Sequence, residues 1–408
     1  METFSFSQLA LRLRALTVFR ALAEDPVLRA LSVCLDEMAS LPEEGAVSAY
    51  ASFVSALYGS GTCNLTAYVR QLVCDDENPY VRSVAARETP PVALETSVRQ
   101  ELITLQAVAS ITQSQLLASR EWSIATDFLP AWETDASAAE ALPALYRERM
   151  GQIGRYGYGM YARFVMFRLD EVGGIQPVQS PDPVQLVDLV GYAREKKLIL
   201  DNMRALLAGK PAANVLLTGD AGTGKSSTVK AAVNALAGEG LRMLELRNEQ
   251  LHFLPKVMGE LRKNPLKFIL FIDDLSFAGD DDNFGALKAM LEGSVSAKCS
   301  NAVIYATGNR RHLVRERFSD REGDDVHRND TMQEILSLSE RFGLLVTFSR
   351  PDKATYLEIV RRLAEAEGLS IDEEELFAAA ERFALHRACR SARAARQFVD
   401  GLLAGTNN

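Results

Sequence analysis

The chain has 408 residues, 47% of them hydrophobic and 24% charged, with a formal net charge of −9. That length allows two or three domains with cores of their own, and no apolar run approaches the ~20 residues of a membrane span, so a soluble globular protein is expected and a membrane protein is excluded. Its five cysteines (Cys34, Cys63, Cys74, Cys299 and Cys389) are scattered and lack C-x-x-C spacing, which argues against zinc and for free thiols in a reducing cytoplasm.

The chain opens on METFSFSQLALRLRALTVFRALAE, where Arg12, Arg14 and Arg20 interrupt the apolar residues. This reads as an amphipathic helix and not as a signal peptide. Residues 1–172 are expected to be mostly helical, because apolar residues recur every three or four positions in Leu9–Met38, Ala46–Leu57, Leu65–Val73 and Val92–Leu117. Breaks are expected at Gly59–Gly61, Pro79 and Pro90–Pro91. The aromatic-rich run RYGYGMYARFVMF (155–167) admits two readings, a partner-binding surface or core packing, and packing is the preferred one. Charge also marks this region. Residues 1–183 hold 14 arginines, no lysine and 22 acidic residues, a net of −8, and the first lysine is Lys196. Such a shift marks a domain boundary and makes the first half a poor match for a phosphate backbone.

The segment GGIQPVQSPDP (173–183) has paired glycines and three prolines, as an extended linker does. Beyond it the pattern turns to alternating strands and helices, the mark of a parallel α/β sheet. Five strands are expected, at Asn214–Thr218, Arg242–Leu246, Phe268–Ile272, Ala302–Thr307 and Leu344–Phe348. The intervening helices are expected at Gln185–Leu207, Lys225–Ala237, Gln250–Lys263, Asn283–Leu291 and Met332–Ser339.

The first of these strands runs into NVLLTGDAGTGKSS (214–227), which carries G-x-x-x-x-G-K-[ST] at Gly219, Gly224, Lys225 and Ser226. Several backbone N–H groups must converge on a nucleotide's β- and γ-phosphates, so side chains have to be absent where the chain wraps the anion. Gly219, Asp220, Ala221, Gly222, Thr223, Gly224, Lys225, Ser226 and Ser227 are therefore the expected phosphate cradle. Lys225 is placed to reach the β/γ-phosphates, Ser226 to ligate Mg²⁺, and the following helix to add the positive end of its dipole. The third strand ends FILFIDD, so that Asp273 and Asp274 lie at the carboxyl end of a buried strand. Asp273 is then expected to hold Mg²⁺ and Asp274 to polarise the attacking water. At the tip of the fourth strand, Asn309 (or, second, Thr307) is expected between the γ-phosphate and that water, unless it is merely a turn residue. The charged loop 317–331 reads as solvated in preference to a metal site.

Walker A, Walker B, the A-T-x-N-R strand end, and S-E-R-F-G before a strand and P-D together resemble the AAA+ ATPases over roughly Pro183–Leu403. More narrowly, LKAMLEGSVSAKCSNAVIYATGNRRHL with LSERFGLLVTFSRPD resembles an uncharacterised bacterial AAA+ family of the domain-of-unknown-function type. The resemblance implies an α/β P-loop NTPase core with a five-stranded parallel sheet (184–350), a C-terminal helical lid (351–408) and a mostly helical N-terminal domain (1–172) beyond the 173–183 linker. It further implies that Val190, Gly191 and Tyr192 contact adenine and that Asn309 is the sensor 1 residue. Arg341 takes the place of an arginine finger that reaches into a neighbouring subunit, and Arg393, with Arg396 second, that of the sensor 2 arginine. The cofactors implied are ATP and Mg²⁺. The implied assembly is a ring, hexameric by analogy, that hydrolyses ATP to remodel a protein partner held by the N-terminal domain.

Two departures bear on function. The second Walker B acid is usually glutamate, and Asp274 is one methylene shorter, which slows hydrolysis if the carboxylate stops short of the water. There is also no aromatic pore loop, since only Arg247 to Glu249 link the second strand to its helix and the nearest aromatic is Phe253. An ATP-dependent switch with negligible hydrolysis is therefore a second reading. A DNA-associated ATPase is a third, resting on Arg387, Arg390, Arg393 and Arg396 as one helical basic stripe.

Overall fold

The computed structural model describes residues 4–38, 42–275, 285, 287, 291, 300–308, 341–387 and 389–405. They form two compact units, Met1–Arg163 and Phe164–Asn408.

The first unit is helical. The apolar run Leu9–Met38 is three helices, Phe6–Arg14, Arg20–Ala23 and Pro26–Glu37. The chain re-enters the helix at Pro26 because the Asp25 carboxylate caps the N–H groups of Val27 and Leu28 and proline suits the first turn. Val92–Leu117 likewise divides into Val92–Ala109 and Gln113–Leu117, the second opened by a capping box between Thr112 and Gln115. Pro79 starts a helix behind its cap, Asn78. The helices enclose a core that includes Phe19, Tyr50, Phe53, Trp132 and Tyr146. Tyr158, from the aromatic-rich run, packs against it, in line with the packing reading. No helix among the described residues is long and apolar enough to cross a membrane, and the described cysteines form no disulfide.

Glu101 is a structural keystone of this unit. Its carboxylate accepts hydrogen bonds from the backbone N–H groups of Thr17, Val18 and Phe19 and from the Thr17 hydroxyl, at 2.7–3.1 Å. Among the described residues these donors have no other partner, so Glu101→Ala is expected to destabilise the unit by about 2–3 kcal/mol. Urea denaturation of the full chain reads this out in the helical transition. A loss below ~0.5 kcal/mol, the scale of an ordinary surface substitution, would mean that water replaces the carboxylate at no cost.

The second unit is built on a seven-stranded sheet, two strands more than the five expected, in the order β2-β1-β4-β5-β6-β3-β7. Its strands are β1 (Met166–Leu169), β2 (Ile175–Pro177), β3 (Val215–Gly219), β4 (Leu241–Leu246), β5 (Lys267–Ile272), β6 (Ala302–Gly308) and β7 (Leu344–Phe348). The five expected strands are all present and mutually parallel. The additional pair comes from 166–177. There β1 adds parallel to β4, and β2 folds back antiparallel through a turn in which the Asp170 carboxylate accepts from Val172 and Gly174 N–H. Part of the segment expected as a linker is thus an edge strand, with Pro177 at its end where a missing donor does no harm.

The expected helix Gln185–Leu207 begins only at Ala193, because Gly191 and Tyr192 both adopt left-handed backbone, φ +77° and +54°. Lys225–Leu236 forms where expected, and Gln250–Lys263 becomes a 3-10 turn followed by Leu254–Leu261. Of the expected helix Asn283–Leu291 only three positions are described, and the helix Met332–Ser339 and the loop 317–331 lie outside the described residues. The lid consists of Lys353–Ala366, Glu373–His386 and Ala392–Leu403, capped by Asp352, Asp372 and Ser391, around a core of Tyr356, Val360, Ala380 and Phe398.

Candidate functional site

β3 and β6 are buried along their whole length. At its carboxyl end β3 runs into the phosphate loop. Gly219, Gly222 and Gly224 all take positive φ, and Thr223 closes the loop with its hydroxyl on the Asp220 carbonyl at 2.9 Å. Lys225 is the first residue of the helix that follows, and its Nζ donates to the carbonyls of Gly219 and Asp220, both at 2.9 Å. Burial holds the Lys225 pKa below the ordinary value, against the opposing pull of Asp273, Asp220 and Asp274. An ammonium so placed has every reason to exchange its carbonyl partners for an anion.

The end of β5 meets this loop although β6 lies between β5 and β3. Asp273 Oδ1 accepts hydrogen bonds from Ser226 Oγ at 2.7 Å and from Thr307 Oγ1 at 2.6 Å. Thr307 also accepts the Asp274 N–H at 2.9 Å, and the Asn248 side chain donates to the Asp274 carbonyl at 3.0 Å. Asp274 is thereby held in left-handed backbone, φ +53°, with its side chain exposed. Of the two candidates at the end of β6, Thr307 buttresses the paired aspartates from within the sheet, and Asn309 lies outside the described residues.

Across from the loop stands the lid. A cleft of about 1190 Å³ is lined by Tyr192, Lys225, Ser226, Asp273, Ile359 and Arg393, among others. Gly222, Thr223, Gly224 and Ser227 line it too, as does Val190. Gly219, Asp220, Ala221, Gly191 and Asp274 are not part of its wall. Tyr192 packs its ring on Phe348 at 4.9 Å and donates its hydroxyl to the Ser349 carbonyl at 2.6 Å, an apolar-walled end suited to a flat base. At the other end a β-carbon on Gly222 would stand 3.0 Å from Arg393 Cβ, so the lid touches the phosphate loop directly.

The four arginines expected as one stripe do not form one. Arg387 ends one lid helix and Arg390 lies in the turn before the next, so only Arg393 and Arg396 share a helix. Arg387 bonds Gln397, Arg390 bonds Glu381 and Arg396 bonds Glu367, the last at 2.9 Å. Both Arg393 and its runner-up Arg396 line the cleft, but Arg396 is paired with Glu367 while Arg393 has no acidic partner among the described residues.

Arg341 lies elsewhere. It precedes β7, whose first residue, Leu344, pairs with Val215 at the start of β3, whereas the phosphate loop follows the far end of β3. At ~3.3 Å per residue the start of β7 lies about 13 Å from the strand end that carries the phosphate loop, farther than an arginine side chain extends. Phe253, the aromatic nearest the short link after β4, is packed on the β1–β2 turn, where a β-carbon on Gly173 would come within 2.6 Å of its ring.

A family model described as "Protein of unknown function (DUF815)" matches residues 161–406. The chain belongs to this family. The family match begins just before β1 and takes in the whole sheet, the cleft and the lid, so these are the parts the DUF815 chain shares with its relatives. No curated protein matches the chain. Among solved structures, the RuvB Holliday junction branch migration motor of Thermotoga maritima is 16% identical, with a TM-score of 0.36 over 53% of this chain and 63% of that one. A point variant of the same protein is 17% identical, with a TM-score of 0.37 over the same shares. The chain thus spans less than two thirds of the RuvB chains it matches. The DUF815 core is an α/β sheet that carries the phosphate loop, with a helical lid across the cleft from it.

Proposed function

We propose that this protein is an ATPase that binds ATP with Mg²⁺ between core and lid and hydrolyses it between copies of itself. The observation that carries the reading is the convergence, in the wall of one cleft, of Lys225, bonded to the loop carbonyls, and the hydrogen-bonded pair Ser226 and Asp273. Ser226 Oγ and Asp273 Oδ1, 2.7 Å apart, are hard oxygen donors of the kind Mg²⁺ takes, directly or through water. Bound there, Mg²⁺ would neutralise charge developing on the β- and γ-phosphate oxygens.

The remaining work falls to the chain itself. Loop N–H groups and Lys225 bind the phosphates, and Tyr192 with Val190 bounds the adenine end. Thr307 orients Asp273. Asp274 is the general base for water, and Asn309 is assigned to orienting that water. Arg393 from the lid and Arg341 from a second copy engage the γ-phosphate, and the distance of Arg341 from its own loop is what favours a trans role. A trans finger needs a second copy beside each site, and the proposed assembly is a ring. The helical first unit is the proposed holder of a protein partner to be remodelled. The DNA-associated reading rested on one helical stripe, and Arg387, Arg390, Arg393 and Arg396 are instead spread over one helix, the turn before it and the cap of the previous helix, with three of them bonded within the lid.

One observation favours the switch as a second reading. Asp274 is short, exposed and outside the cleft wall, its backbone clamped by Thr307 and Asn248. Steady-state hydrolysis against protein concentration separates the two. For the motor, specific activity rises with concentration, and Arg341→Ala and Asp274→Asn each lose ~100-fold or more while still binding ATP. For the switch, the wild type binds ATP and turns over no faster than Asp274→Asn.

A further inference from the structure

β3 and β7 run parallel and in register to their ends, where Gly219 pairs with Phe348. The next residues on either side are Asp220, inside the phosphate loop, and Ser349 and Arg350, at the start of the passage into the lid. Arg350 Nε stands 2.5 Å from Asp220 Oδ2, so the register of the sheet places a cation against the loop's own carboxylate. A β-carbon on Gly219 would lie 2.2 Å from the Phe348 carbonyl oxygen, which shows how closely the two strand ends are pressed together. Among the described residues Asp220 has no other ion-pair partner than Arg350, and Lys225 Nζ bonds the carbonyls of Gly219 and Asp220 and not the Asp220 carboxylate.

An acid at this point is a liability for a loop that must receive a polyanion. We infer that Arg350 is a positioning residue of the nucleotide site, which neutralises Asp220 and holds its carboxylate against the lid passage and away from the phosphates. The inference rests on the proposed binding of ATP and deepens it. Arg350 does not touch nucleotide. It sets the net charge of the cradle and ties the phosphate loop to the segment (349–352) from which the lid departs. Its contribution therefore scales with the number of phosphates bound, which a merely structural contact does not.

The test is calorimetric titration of the full chain with ATP, ADP and AMP, for the wild type, Arg350→Ala, Arg350→Lys, Asp220→Asn and the double variant Asp220→Asn/Arg350→Ala. Arg350→Ala is expected to weaken ATP by about tenfold, ADP by less, and AMP by under twofold. The double variant returns to within ~3-fold of the wild type for ATP, because removing the acid removes the need for the cation. Arg350→Lys, which keeps the charge, binds like the wild type. Equal losses for ATP and AMP, or a double variant as weak as Arg350→Ala, overturn the inference and leave ATP binding standing. A wild type that binds no nucleotide overturns the parent reading, and this one with it.

Discussion

Lys225→Ala is expected to lower ATP affinity by about 100-fold or more and to abolish measurable hydrolysis, with little change in the stability of the ligand-free protein. The ammonium makes two hydrogen bonds to loop carbonyls in the ligand-free state, at Gly219 and Asp220. On binding, these are exchanged for charge-assisted bonds to phosphate worth about 1.5–3 kcal/mol each, and 2.7 kcal/mol is already ~100-fold. The ammonium is itself buried at a desolvation cost that offsets these two bonds, so removal of the side chain costs the empty protein little. The ATP-induced rise in melting temperature measures both quantities at once. A Lys225→Ala protein that keeps a wild-type shift at the same ATP concentration would refute the assignment of the phosphate loop as the binding site.

Gly219→Ala should be the most damaging single methyl in the second unit. The position has φ +149°, which only glycine adopts without strain, and the new β-carbon would lie 2.2 Å from Phe348 O and 3.1 Å from Phe348 Cβ. The obstruction is backbone in a paired strand of the central sheet, so no rotamer change relieves it. A loss of roughly 3–5 kcal/mol is expected, enough to leave much of the protein insoluble or to cut the urea midpoint sharply. Gly259→Ala is the matched control. It lies within the helix Leu254–Leu261, where the added carbon meets nothing within 4 Å, and a gain of up to ~1 kcal/mol is expected. Equal stability of the two variants would mean that β3 and β7 part freely at their carboxyl ends.

Much of the second unit was legible in the sequence because its signals are local. An unbroken apolar run such as FILFI demands a buried strand, and G-x-x-x-x-G-K-S demands a loop stripped of side chains ahead of a helix. The five parallel strands come within one or two residues of their expected limits for this reason. The two further strands were missed because β1 sits in a run whose aromatics also suit a helical core, and because the glycines and prolines of 173–177 serve a hairpin as well as a linker. Helix ends failed where tertiary contacts override periodicity. Gly191 and Tyr192 turn left-handed, with the Tyr192 ring on Phe348, and so delay the helix that apolar spacing starts at Gln185.

The sequence by itself determined the fold class, the place of the phosphate loop and the residue types that surround it, since each depends on neighbours within a few positions of the chain. Only the tertiary structure decided which distant side chains share that site. Thr307 meets Asp273 because β6 lies beside β5, and Arg350 meets Asp220 because β3 and β7 end in register. Arg390 and Arg396 meet acids from elsewhere in the lid, Glu381 and Glu367, and Arg393 meets none among the described residues. These are contacts across 9 to 130 residues of chain, set by strand order and helix packing, and no periodicity or motif spacing encodes them.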